Sequence, residues 1–349
     1  MKKSLINFFA VCAAVSSVLT INCCAHSNAS AIEDAPQEIV CKLKSDGPID
    51  KLMSICIIDD TSFIVTANTR IMMFNMDGTY IRDIGRNGRA KGEFIRPKQA
   101  RFDGNNLIVW DSNQTKFIKY SREGEFLDEY PYSSAFVNFQ VSGGIVYIYA
   151  PALHDDYILD VLNLSDLTTS SAGLCSETHK ILTHFYTSSP LYVDGKKILF
   201  APLDKLTVFS MNGGSKEHVF ESMESKSFKV LPTSNSERDI GNDMRKFDSF
   251  VLNSSYNVFL FERDGSPYLV SMEGSSSRGA DKKISEEGRF YSLYRIDGHD
   301  HPAKHYRMGS MGNPYLFAEY NGDLFYIKTE VDGNDEVVML CKLSNGAYN

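Results

Sequence analysis

A single six-bladed β-propeller of four-stranded antiparallel blades is the fold this sequence predicts, and three observations carry the prediction. A turn motif recurs at fixed spacing: Phe74, Met76, Asp77, Gly78 and Ile81 return as Tyr120, Arg122, Glu123, Gly124 and Leu127, 46 residues later. Phe209-Ser-Met-Asn-Gly213 repeats the turn 135 residues after Phe74, three steps of 45. The residues between are short apolar runs of strand type, and a period of about 40 to 50 residues in such sequence corresponds to one blade per repeat. Five or seven blades are the alternatives.

Within the repeat, Ile55 and Ile57, then Phe63 to Val65, then Ile71 and Met73, then Tyr80 and Ile81 are separated by Asp59-Asp60, Asn68-Thr69 and Asp77-Gly78. Runs of this length, rich in β-branched and aromatic types and bounded by turn residues, read as strands. Asp77-Gly78 and Glu123-Gly124 supply the positive φ of a tight hairpin and join the last two strands of their blades. The stretch from Gly85 to Phe94, ending at Pro97, is the crossing from one blade to the next. Counted this way, blades one to six cover 50–84, 99–131, 136–168, 189–221, 247–275 and 290–343. Polar insertions at 222–246 and 274–289 and a histidine-bearing segment at 297–313 project from the ring. Loops on a rigid scaffold are where specificity resides, although solvated connections have the same composition.

The repeat IRDIGRNGRAKGEFIRPKQARFDGNNLIVWDSNQTKFIKYSREGEF resembles that of the six-bladed propeller lipoproteins of Bacteroidetes, themselves similar to NHL-type and TolB-type propellers. The matching features are the Gly85, Gly88, Gly92, Glu93, Phe94, Pro97 spacing, the Asp103-Gly104 turn and the aromatic-x-x-acidic-Gly turn at 120–124. Ala90-Lys91 departs from the family pattern, where Gly-Pro is commoner. The resemblance implies a propeller and export to the cell envelope, and carries no catalytic motif.

Met1-Lys2-Lys3 followed by an apolar run from Leu5 to Ile21 reads as an export signal, too short for a comfortable spanning helix. Cleavage before Cys23 or Cys24 would make either one the lipidated residue of an anchor, with residues 1–23 the signal, 24–36 a tether and 37–349 one propeller domain; cleavage after Ala31 is the alternative. Loss of Lys2 and Lys3 takes the formal charge from −8 to −10. An acidic chain without a basic stripe argues against a nucleic-acid partner. Composition, 43% hydrophobic and 12% aromatic, is ample for sheets packed face to face in a monomer. Cys41 and Cys341 fall in the first and last strands, adjacent if the ring closes on itself. Two small buried hydrophobes are the simpler reading and a disulfide the other.

Candidate site residues fall into two groups. Arg96, Lys98 and Arg101 follow the Gly-rich crossing; if they face the central channel, the arginines could clamp a carboxylate or sulfate, and Trp110 could stack on a sugar. Trp110 also suits the core of its strand. His299, His301 and His305 are the one cluster resembling metal ligands, for a divalent ion or for none; a polar surface loop has the same residues. Neither a Gly-x-Ser-x-Gly elbow nor a His-Glu-x-x-His helix occurs. The reading is therefore a non-catalytic binding or scaffold protein for a glycan, peptide or envelope protein, needing no cofactor. The alternative is a metal-dependent lyase or hydrolase acting on a carbohydrate or lactone at the axis.

Overall fold

The computed structural model describes residues 31–348 apart from 48, 151–155, 187, 213–217, 300, 312–315 and 334. Ala31, the alternative cleavage point, is the first residue described, whereas the expected export signal, Cys23 and Cys24 lie outside the described residues. So do Gly213, which ends the third copy of the turn, and Asp300.

Six four-stranded antiparallel sheets form the blades. Blade one is β2 (Leu52–Asp59), β3 (Ser62–Ala67), β4 (Ile71–Asn75) and β5 (Tyr80–Asp83), preceded in the chain by β1 (Gln37–Lys42). Blade two is β6 (Pro97–Phe102) through β9 (Phe126–Pro131), with β7 at Asn106–Asp111 and β8 at Lys116–Ser121. Blade three runs from β10 (Asn138–Ser142) through β11 (Ile145–Tyr149) and β12 (Tyr157–Asn163) to β13 (Thr169–Leu174). Blade four runs from β14 (Leu191–Asp194) through β15 (Lys197–Phe200) and β16 (Thr207–Asn212) to β17 (His218–Ser222). The first strand of each blade lies innermost, and β2, β6, β10, β14 and β18 (Tyr256–Arg263) neighbour one another in turn around the axis. Phe259 on β18 meets Phe317 on β24 (Phe317–Tyr320), ring centroids 5.8 Å apart, and β24 adjoins β2.

Blades five and six differ from the sequence count. Blade five is β18, β19 (Ser266–Gly274), β22 (Arg289–Arg295) and β23 (Lys304–Arg307), so 290–307, expected in blade six, completes blade five. The insertion at 274–289 sits inside this blade as a small hairpin of β20 (Ser277–Arg278) and β21 (Ile284–Ser285). Arg278 grips both oxygens of Asp248 at 2.8–3.0 Å and ties the hairpin to the preceding helices. Those helices occupy the other insertion: α2 (Glu237–Asn242) and α3 (Met244–Phe250) follow α1 (Glu177–Phe185) in the chain. Ile240 is buried in one apolar cluster with Ile181 and Leu182 of α1, so 222–246 carries core and is more than a solvated connection; Phe250, just beyond it, joins the same cluster.

Blade six is β24, β25 (Asp323–Asp332) and β26 (Asp335–Leu343), completed by β1 from the other end of the chain. Gln37 pairs with Leu343 and Lys42 with Met339. The strands of Cys41 and Cys341 are neighbours across this joint, as expected; Cys41 pairs with Leu340 and Cys341 with Ile39, and both thiols are free and buried. The segment before β1 is already docked where a tether was expected: the Glu33 amide donates to the His305 carbonyl at 3.0 Å, and the Glu33 carbonyl accepts from Arg307 at 2.8 Å.

The turn residues do what their chemistry predicts. Gly78 and Gly124 have φ of +84° and +90° between the last two strands of blades one and two. A Cβ at Gly78 would lie 2.1 Å from the Lys42 carbonyl oxygen, so the turn of blade one also makes room for the closing strand.

Candidate functional site

An axial cavity of about 490 Å³ opens where the innermost strands begin. Three of those strands carry a bulge at this level. Pairing skips one residue between Leu52 and Ser54 in β2, between Pro97 and Gln99 in β6, and between Asn257 and Phe259 in β18. The extra residues, Met53, Lys98 and Val258, all line the cavity. A bulge redirects a side chain that regular alternation would send into the sheet packing. Lys98 therefore joins Gln99 and Arg101 of its own strand on the axis.

Arg101 sits at the base of this cavity and also lines the smaller one beyond it, so its side chain separates the two ends of the channel. It is 7% exposed. Nη1 donates to the carbonyls of Ala100 and Ile55 at 2.8 and 3.2 Å, and Nη2 to Asn138 Oδ1 at 3.3 Å. Nε is buried without a partner, and among the described residues no carboxylate pairs with the guanidinium. Gln99 Oε1 and the hydroxyls of Ser188 and Ser189, also in the lining, are buried and unpartnered. Burial, and then the neighbouring charge of Arg96, hold the Lys98 ammonium below its usual range. Lys51 and Glu336 stand exposed at the mouth. The rim is extended by the β25–β26 hairpin, whose pairs from Lys328↔Met339 to Asp332↔Asp335 run on beyond Phe317.

The opposite end is acidic. Glu319 lines the smaller cavity, of about 150 Å³, with Tyr192 and Gln140. Burial pushes its carboxyl up to about 7; the Gly322 amide works against this, and Asp194, Asp323 and Glu262 reinforce it. The axis thus sets cationic side chains at one end and, at the other, one buried carboxyl whose pKa is raised.

Of the residues singled out from sequence, Lys98 and Arg101 are brought together and Arg96 is not. The Arg96 side chain is exposed and outside the lining, while its amide donates to Asp111 Oδ1 at 3.1 Å. Trp110 is 3% exposed and packed between blades two and three against Phe117 and Phe136, at 4.9 and 4.6 Å, so it offers no face to a sugar. Of the three histidines, His299 and His301 are brought together, ring centroids 6.2 Å apart, and His305 is not. His301 Nε2 lies 3.0 Å from Asp297 Oδ1 in a turn through Gly298, whereas His305 is in β23, with Nδ1 2.7 Å from the Ser292 hydroxyl and its ring against Phe290. Among the described residues no three His, Cys, Asp or Glu side chains assemble as metal ligands. Sequence reading missed Asn138, Ser188 and Ser189, which lack any motif and reach the axis through ring closure.

A separate cavity beside α1, about 240 Å³, is lined by Phe136, Cys175 and His179 among others. His179 Nδ1 accepts the Leu203 amide at 3.0 Å, and burial holds this imidazole down to about 4, so it stays neutral. Together with the Ser176 hydroxyl, which bonds Asp204 at 2.5 Å, it anchors α1 to blade four.

Residues 32–273 match a family model, DUF5128, described as a 6-bladed beta-propeller. Curated proteins give no match. Among solved structures, a protein of Bacteroides fragilis described as exported superposes with a TM-score of 0.64 at 15% identity, over 90% of this chain and 98% of that one. A member of the DUF4221 family from Bacteroides vulgatus superposes with a TM-score of 0.62 at 8% identity, over 89% and 99%. At such identities the likeness is one of fold.

Proposed function

Since the chain belongs to the DUF5128 family of six-bladed β-propellers, we propose that it is an exported, lipid-anchored binding protein that holds the end of a glycan or peptide chain in its axial pocket. One observation carries this reading. Gln99 Oε1 and the Ser188 and Ser189 hydroxyls are buried, unpartnered and gathered on one cavity of about 490 Å³. Native proteins rarely leave such groups unsatisfied without a ligand or water to meet them, and the volume is that of an ordinary small-ligand site. Binding is favoured over turnover because the described lining contains no histidine or cysteine, and its one carboxylate, Glu336, stands exposed at the rim.

The test is a pocket-filling substitution. Met53→Trp is expected to remove binding of envelope glycans or peptides identified on an array, while the melting temperature stays within a few degrees of wild type. Binding that survives Met53→Trp and disappears with substitutions at exposed Leu174 and Val219, on the outer strands, would place recognition elsewhere and sink the reading. The anchor is tested separately by membrane fractionation of Cys23→Ala, Cys24→Ala and the double variant. The variant lacking the lipidated residue and the double variant are expected in the soluble fraction; no release from any of the three would discard the anchor.

A further inference from the structure

We infer that the axial pocket is an oxyanion site, and that the group it recognises is a sulfate, phosphate or carboxylate with a hydroxyl or amide hydrogen beside it. This inference rests on the axial pocket being the binding site and names the chemistry of its occupant.

The donor count of Arg101 leads to it. A guanidinium carries five N–H donors in a planar fork. Three are engaged, by the carbonyls of Ala100 and Ile55 and by Asn138 Oδ1. Those three contacts hold the plane in place and leave two of its donors, the Nε hydrogen among them, without a protein acceptor. Every partner of the cation is neutral, so a full positive charge is buried at the base of a cavity with no countercharge from the described residues. An uncompensated buried charge is costly, and a chain that retains one has a use for the missing anion.

The surroundings complete the set. Lys98 is turned onto the same cavity by its bulge and has no ion-pair partner among the described residues; Ser188 and Ser189 bring two hydroxyl donors from the entry to blade four, two blades further round the ring. Gln99 Oε1 is an unpartnered acceptor there that cannot donate, and a hydrogen on the ligand adjacent to the anion would meet it. Lys51 adds a third cation at the mouth against the single carboxylate of Glu336. A chain with a formal charge of −8 thus concentrates positive charge at one place, and the field along a low-dielectric channel draws an anion inward. Glu319, at the far end, makes no ion pair with Arg101 and does not neutralise it.

Sodium sulfate, sodium phosphate and sodium acetate, each titrated into the full chain against sodium chloride of matched ionic strength, test the inference by calorimetry and thermal shift. At least one of the three is expected to bind saturably and raise the melting temperature beyond the chloride control. Preference for sulfate and phosphate over acetate would identify a tetrahedral group, and the reverse a carboxylate. Lys98→Gln, at a partly exposed position, is expected to weaken the preferred anion about tenfold, the ordinary consequence of losing a charged hydrogen bond, and Arg101→Gln to abolish it. Absence of saturable binding for all three anions overturns the inference, as does an affinity unchanged in folded Lys98→Gln. A glycan or peptide lost with Met53→Trp but indifferent to Lys98→Gln and to competing oxyanions would overturn it while leaving the pocket itself as the binding site.

Discussion

Deletion of residues 33–43 is expected to abolish the folded ring, leaving a chain without a cooperative thermal transition. These residues close the propeller. β1 pairs with β26 from Gln37↔Leu343 to Lys42↔Met339, and the Leu43 amide continues onto the Val338 carbonyl at 2.9 Å. The strand then passes directly to blade one: Lys44 donates to the Gly78 carbonyl at 2.8 Å and accepts from Tyr80 at 3.3 Å. Cys41 packs in a cluster that joins Leu340 and Ile327 of blade six to Ile55 and Phe74 of blade one. Removing the strand would expose the long edge of β26 and separate the first blade from the last. The total stability of a domain is only about 5–15 kcal/mol, so losing one seam of a closed ring is enough to unfold it or to recruit a second chain to the bare edge. Near-ultraviolet circular dichroism and gel filtration read the outcome; a monomer that still melts cooperatively would show that the ring does not depend on this closure. Reducing agent should leave the intact protein unchanged, since Cys41 and Cys341 are both free thiols.

The propeller was legible because its evidence is periodic. The turn at Asp77-Gly78 and its copy at Glu123-Gly124 mark equivalent places in blades one and two, and pairing of the two chain ends follows once the ring is assumed. Blade five was not legible for a physical reason: the insertion between β19 and β22 separates strands that are neighbours in space, so β22 and β23 looked like the opening of the next blade. The site was half legible. Cations after the Gly-rich crossing were visible, but their direction depends on a one-residue bulge at Lys98, and a shift of one residue exchanges the faces of a strand. Arg96, two positions earlier, ends in solvent. The histidines are close in sequence without sharing an environment: His305 belongs to a strand and His301 to a turn, and sequence spacing does not reveal that they face different partners.

Asp111→Ala is expected to cost about 3–5 kcal/mol, because one buried carboxylate organises the whole crossing into β6. Asp111 ends β7 and is 0% exposed. It accepts from the amides of Ile95, Arg96, Asn113 and Gln114 at 2.7, 3.1, 2.9 and 3.3 Å, and from Gln114 Nε2 at 2.8 Å. Gln114 Nε2 in turn reaches the carbonyls of Glu93 and Gly88, so the substitution would loosen both halves of the Gly85–Pro97 segment. Gly92, at φ +75°, leaves no space for a Cβ against Phe126, which shows how closely the crossing is packed. Burial alone would raise the carboxyl's pKa; the bonds from Ile95, Gln114, Asn113 and Arg96 outweigh it and hold the group below its ordinary value. A pKa depressed in the folded state contributes stability at pH above the unfolded value and loses it as pH falls through the folded one. Asp111→Asn should therefore be most destabilised relative to wild type at neutral pH, with the gap closing below about pH 4, and denaturant titrations at several pH values measure it. A gap independent of pH would mean that shape and not charge holds the crossing. The loss would also reach the axis, because Ile95 and Arg96 lead directly into the bulge that turns Lys98 toward the cavity; a crossing no longer fixed by Asp111 cannot hold that register, and Lys98 would lose its aim even if blade two remained folded.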